Sequence, residues 1–406
     1  VQESDRQTQK EKKAMENVFV VSAARTPVGR RNGYLREWKA PELLGMVLDE
    51  VVSRINLDPT LIEEVVTGSV YQVGEQGFTI ARTGVLASKF PEEVPGVSVN
   101  RQCGSSLTAL QLCSSMISAG MIDVGIASGI ELMSKYPIGS DVGGTLPDGR
   151  PQGDPYGAYF FERVKGKLYN QAQAAEAIGE TYGITKEMCD EFAVASHTKA
   201  HQATINGYFK NEIIPTKGLD ADGNEIVRDT DETIRPDTNL EKLATLKAVL
   251  GTKWITAGIA SPVTDGASAV VLMSEQKVNE LNLAPLARVV ANAVVGSDPV
   301  LMLTGPLTAT PKVLKKAGMK MKDIDIFEVN EAFAPVPLAW AKELKGPMEK
   351  LNVNGGAMAL GHPVGNSGCR LAITAINELM RRKAKYALVT LCTGGAQAPA
   401  SIFERV

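Results

Sequence analysis

Five cysteines and three histidines, in a chain of 406 residues, are the side chains best suited to covalent and proton-transfer chemistry. Cys103 stands in Asn100-Arg101-Gln102-Cys103-Gly104-Ser105-Ser106, after an apolar run and before an amphipathic helical pattern. A thiol at a helix N-terminus faces unpaired N–H groups and the positive end of the dipole, and both favour the nucleophilic thiolate. A buried structural cysteine is the competing reading of this residue taken alone. His362 sits in Gly361-His362-Pro363-Val364-Gly365-Asn366-Ser367-Gly368, a stiff loop that fixes the backbone and presents the ring. Cys392 ends an apolar run and opens Cys392-Thr393-Gly394-Gly395-Ala396. N–H groups in such a turn can bind an oxyanion, and a second thiol there can shuttle a proton. Asn330 opens Asn330-Glu331-Ala332-Phe333 at a strand–helix junction, where helix capping and catalysis both remain open. His197 and His201 have a zinc-like spacing, but no Glu or third ligand accompanies them, so no metal is expected. Asp220-Ala221-Asp222-Gly223-Asn224 reads as a hairpin turn, since the Glu that a calcium loop needs is missing.

The elements that position these groups alternate. Apolar runs at 19–23, 65–70, 97–99, 124–127, 287–295, 324–329 and 386–391 predict strands. Helical spacing predicts helices over 41–52, 107–117, 307–317, 331–344 and 366–381. The alternation predicts an α/β protein with a parallel sheet covered on both faces. A weak repeat relates the Cys103 loop, its helix and the following strand to the Gly365–Leu371 loop, helix and strand, at an offset of about 263 residues. That implies two duplicated halves. Residues 134–254, rich in Gly and Pro and then in polar helices, interrupt the first half as a loop domain. The expected division is a disordered leader over 1–16, an N-terminal half at 17–133 and 255–283, and a C-terminal half at 284–406.

Composition excludes other classes. Apolar residues make up 44%, charged residues 22%, and the net charge is −3, which argues against a disordered chain or a basic nucleic-acid binder. An odd number of cysteines is no disulfide framework and predicts reduced thiols in a cytoplasmic setting. Organelle import stays open, because the chain starts at Val1. No apolar run is long enough to cross a membrane.

Together the motifs resemble the thiolase family: N-x-x-C-G-S-S at 100–106, N-E-A-F-A at 330–334, G-H-P-x-G-x-S-G at 361–368 and C-x-G-G at 392–395. Matches at Ala24–Gly29, Glu131–Ser134, Ala257–Ser261 and Asp265–Ala267 extend the resemblance over about residues 17–406. It implies a thiolase fold of two duplicated halves in alternating layers. It also implies reversible, coenzyme A-dependent cleavage of a 3-ketoacyl-CoA by a homodimer or homotetramer, with acyl-CoA and CoA as ligands and no bound cofactor. Carried over, Cys103 is acylated and His362 takes its proton. Asn330 holds a water, and Cys392 handles the acetyl Cα proton. The N–H groups of Cys103 and Gly394 bind an oxyanion. Arg235, Ser261, Ala260 and Phe333 match coenzyme A contacts. Ala396 replaces a glycine frequent in the family. Asn170-Gln171-Ala172 replaces the His-Met-Gly of short-chain acetoacetyl-CoA thiolases. Both departures resemble bacterial degradative and steroid side-chain thiolases, and they imply medium, long or bulky acyl groups, with Asn170 and Gln171 facing the substrate. The alternatives are an acetoacetyl-CoA thiolase, a decarboxylating ketoacyl synthase and a non-catalytic acyl-CoA carrier on the same scaffold.

Overall fold

The computed structural model describes residues 16–146, 148–153 and 155–406. The expected leader, all but its last residue, lies outside them. Each half is built on a sheet with one strand order. In the N-terminal half the strands are β1 (Val18–Arg25), β2 (Gly29–Arg30), β3 (Glu64–Gly68), β4 (Gly96–Val99), β5 (Val124–Leu132) and β8 (Thr264–Ser274). They run β4-β3-β5-β8-β1, with the short β2 paired to β8. In the C-terminal half, β9 (Ala287–Gly296), β10 (Ile326–Val329), β11 (Tyr386–Thr390) and β12 (Gln397–Arg405) run β10-β11-β12-β9, and Leu351 adds a parallel bridge beyond β10 at Phe327. Both halves therefore read third, second, fourth, fifth, first. They join where β1 meets β9, at Phe19–Arg288 and Val20–Ala287. Strands β6 (Thr216–Leu219) and β7 (Glu225–Arg228) form the hairpin expected around Asp220–Asn224.

The sheets are mixed rather than parallel. β8 and β12 run antiparallel to both of their neighbours. The apolar-run reading misses both. β8 is buried on both faces and opens on Thr-Asp-Gly, so it shows no clean alternation. β12 contains Pro399, which removes a ladder donor and argues against a central strand.

The duplication is visible in the packing. Helix Ser105–Ser118 lies against helix Ser367–Arg382 between the halves. The Cys369 N–H donates to Ser106 Oγ at 2.9 Å, and these residues are separated by the repeat offset itself, 263 positions. The approach is tight: a Cβ on Gly368 would meet Leu107 N at 2.2 Å, and one on Gly129 would meet Asn366 Cα at 2.7 Å. Glycine is required there for backbone proximity rather than for its dihedral freedom. This contact carries both functional helix N-termini into one place.

Candidate active site

Cys103 lies in a fixed turn between β4 and helix Ser105–Ser118. Asn100 Oδ1 accepts the Gln102 N–H at 2.8 Å, and Ser105 Oγ accepts the Arg101 N–H at 2.9 Å while donating to Gln102 O at 2.6 Å. Gln102 is held at φ +50°, a left-handed conformation disfavoured for a branched backbone position and kept by this network. The thiol is buried. Backbone N–H groups of Gly394 and of Cys103 itself point at Sγ. Burial outweighs them and, with the Glu131 charge, pushes the thiol up to about 11. The helix-terminus argument for a resting thiolate is thus overturned by desolvation.

His362 is buried, with each ring nitrogen accounted for. Ser367 Oγ donates to Pro363 O at 2.9 Å, so it accepts from Nδ1–H at 2.6 Å. That leaves Nε2 with a lone pair, which faces Asn330 Nδ2 at 3.3 Å. Burial, then the Arg370 charge, lowers the imidazole to about 3. His362 is therefore a neutral base at pH 7. Its backbone N–H donates to Thr264 Oγ1 at 2.9 Å, so the missed strand β8 helps set the loop. Asn330 does not cap the next helix, which starts at Pro335 rather than 331. Its side chain turns into the site, where Oδ1 is buried without a protein partner. Such an acceptor suits a bound water. Cys392 is buried too, and burial followed by the nearby Cys103 charge pushes its thiol up, so it rests protonated.

Glu131 was matched only as part of a motif, yet it ties the site together. One oxygen accepts the N–H groups of Val70 (2.8 Å) and Gly365 (2.9 Å), and the other accepts those of Tyr71 (3.2 Å) and Gln76 Nε2 (2.6 Å). Burial raises it to about 7 against these hydrogen bonds. An acid inside the otherwise apolar β5 was the available signal. Ser367 was legible only as a fixed position of the His362 motif, and Thr264 gave no signal.

The remaining expected residues divide. Ala260 bridges Phe333, and the Ser261 N–H donates to Ala332 O at 3.0 Å, so these three residues meet beside Asn330. Arg235 is exposed on the loop domain, its N–H donating to His197 Nδ1 at 3.1 Å. Burial lowers His197 to about 4. Asn170 and Gln171 are not brought to Cys103. Asn170 Oδ1 caps helix Gln171–Tyr182 by accepting the Gln173 N–H at 3.0 Å, and its Nδ2 donates to Leu250 O at 3.0 Å. Ala172 packs in a different core cluster from Cys103. The apolar neighbours grouped with Cys103 include Tyr71, Met133 and Val364 instead. No group of three His, Cys, Asp or Glu among the described residues could hold a metal ion.

With one thiol from the N-terminal half and a thiol, a neutral imidazole and a buried amide from the C-terminal half, the chain was compared with known proteins. The thiolase N-terminal domain matches residues 18–276, and the thiolase C-terminal domain matches residues 283–405. The chain belongs to the thiolase family. A 3-ketoacyl-CoA thiolase of Serratia proteamaculans is 43% identical over 401 residues, covering 97% of this chain and 100% of that protein. One of Klebsiella pneumoniae is 43% identical over 400 residues, with the same coverage. Among solved structures, the human mitochondrial 3-ketoacyl-CoA thiolase superposes with a TM-score of 0.88 at 35% identity. The Bacillus anthracis acetyl-CoA acetyltransferase gives 0.87 at 37%. Both superpositions span 97% of this chain and 100% of the other. The thiolase fold is thereby established for this chain.

Proposed function

We propose that this thiolase is an acetyl-CoA C-acyltransferase that cleaves 3-ketoacyl-CoA with coenzyme A through an acyl group on Cys103. The observation that carries this is a buried, neutral His362 whose Nδ1 is held by Ser367 and whose Nε2 faces Asn330, in a site that also holds two protonated thiols. The Cys103 proton passes to His362 Nε2 as sulfur attacks the 3-keto carbon. The N–H groups of Cys103 and Gly394 receive the oxyanion. The C2–C3 bond then breaks, and its electron pair takes a proton from Cys392, releasing acetyl-CoA. The forming enolate oxygen is supported by His362 and by a water on Asn330. Coenzyme A next gives its thiol proton to the Cys392 thiolate and attacks the acyl-enzyme. Cys103 leaves as a thiolate and recovers its proton from His362. The covalent intermediate divides one hard carbon–carbon cleavage into two easier steps.

Arg235 on the proposed loop domain (134–254), with Ala260, Ser261 and Phe333, forms the proposed coenzyme A contact. The 3-ketoacyl-CoA thiolase names among relatives above 40% identity support acyl groups larger than acetyl. A second copy is the proposed partner. β4 is a sheet edge, and near it Phe78 (94% exposed), Leu86 and Val97 offer an apolar face. Five free thiols support a reducing, cytoplasmic setting. Among the described residues no helix is long and apolar enough to cross a membrane.

The test mixes purified protein with 3-ketoacyl-CoA and coenzyme A, follows loss of the 3-ketoacyl absorbance, and maps the acyl adduct by peptide mass spectrometry. CoA-dependent loss with the adduct on Cys103 is expected. No loss, or an adduct on Cys392 or Cys369 with Cys103 bare, overturns the reading.

A further inference from the structure

We propose that Tyr71 sets how large an acyl group this enzyme accepts, its ring forming the wall against which the acyl chain on Cys103 comes to rest. The inference rests on the thiolase reading above and concerns a residue to which that chemistry assigns no role.

An acyl group on Sγ has few ways out. In the mechanism proposed above its oxygen goes to the Cys103 and Gly394 N–H groups. The turn side is closed, because even a Cβ on Gly104 would meet Pro399 and Thr393 at 2.8 Å. His362 and Asn330 occupy the side reserved for the acetyl half. Tyr71, Met133 and Val364 belong to the same buried core as Cys103, and Val73 and Tyr136 pack against that core. Tyr71 is the largest of the three core residues and is only 6% exposed.

The ring stands on a backbone that cannot move aside. The Tyr71 N–H donates to Glu131 Oε1 at 3.2 Å, and its carbonyl accepts from Gln76 Nε2 and from the Val73 N–H, both at 2.8 Å. Glu131 also holds Gly365 in the His362 loop. Displacing Tyr71 therefore means displacing the catalytic loop as well. The facing segment is tied to the same support. Tyr136 Oη accepts the Glu75 N–H at 2.8 Å, and Lys135 pairs with Glu75 at 3.2 Å. The phenol lies close enough to Cys103 for a charge there to raise it, after burial, and the Gly139 N–H points toward its oxygen. A wall pinned on both strands selects by volume, since its residues cannot yield to admit a larger group.

The experiment measures kcat/KM for acetoacetyl-CoA, a medium-chain 3-ketoacyl-CoA and a ring-bearing 3-ketoacyl-CoA with wild type, Tyr71→Phe, Tyr71→Leu, Tyr71→Ala and Tyr71→Trp. Tyr71→Ala and Tyr71→Leu should raise the ratio of large to small substrate by about tenfold or more, the scale at which apolar pockets discriminate. Tyr71→Trp should lower that ratio, and Tyr71→Phe, which keeps the ring, should follow wild type. If Tyr71→Ala does not fold, the Leu, Phe and Trp variants decide. Substrate profiles that stay parallel in all folded variants overturn the proposal, as does a shift in Tyr71→Phe equal to that in Tyr71→Leu. Wild type unable to cleave any of the three substrates would instead sink the thiolase reading itself.

Discussion

Cys103 and His362 rest as an uncharged pair, and that fixes how the acylation step responds to pH. The imidazole, lowered to about 3, holds no proton at neutrality, and the thiol, raised to about 11, keeps its own. Proton transfer must accompany attack rather than precede it. Neither member of the pair should therefore add an inflection to the acylation rate between about pH 5 and 9, and a step near neutrality would report Glu131, which burial holds at about 7. A pre-formed thiolate–imidazolium pair would show instead as thiolate ultraviolet absorbance at pH 7. Cys392 acts on the other proton. Cys392→Ala should still take an acyl group from acyl-CoA onto Cys103, while thiolysis falls by roughly 10² to 10⁴, the usual scale of general acid–base catalysis. Thiolysis within a few-fold of wild type would remove Cys392 from the mechanism. These residues were legible in the chain because each lies in a short motif with its own glycines. The protonation states were not. They depend on burial by segments hundreds of positions away, and the local helix-terminus argument pointed to a thiolate that desolvation removes.

At the scale of elements, the turn from β11 into β12 contains a misfit residue. Gly395 has φ +71°, and Ala396 follows at φ +58°, where a Cβ is strained. Ala396 holds this geometry without being glycine. Ala396→Gly should raise stability by about 0.5–1 kcal/mol, since relief of left-handed strain exceeds the added freedom of the unfolded chain. Thermal unfolding that moves downward would mean that the methyl packing outweighs the strain. The strands of both halves other than β8, β12 and the short β2, and the two middle helices, could be read from apolar runs and helical spacing. β8 and β12 could not, because their identity comes from burial on both faces and from neighbours already in place. The use of Asn170 as a helix cap was unread for a related reason. An Asn two residues before a helix interior is equally good as a cap, and only the folded chain shows which use prevails.

For the whole molecule, the unpaired edge at β4 matters most. It leads directly into the Cys103 turn, so pairing of two copies there would brace both nucleophile loops. Phe78→Asp combined with Val97→Lys should convert the proposed dimer into monomer, as read by sedimentation velocity. An unchanged oligomer would place the interface elsewhere. The duplication itself was legible as an offset of about 263 residues. The identical strand order of the two halves was not, since strand pairing is decided by contacts between distant segments.

The contact between Ser106 and Cys369 brings two equivalent helix N-termini together, but they are not equally armed. At the repeat offset, the position corresponding to Cys103 is Asn366, which bonds Ser268 and offers no thiol. In the proposed mechanism one of these termini carries the nucleophile, and the other, through the His362 loop, mounts its base. If Cys103 is the acylated thiol, as proposed, saturating acylation should load one equivalent per polypeptide, because the twin position has nothing to load.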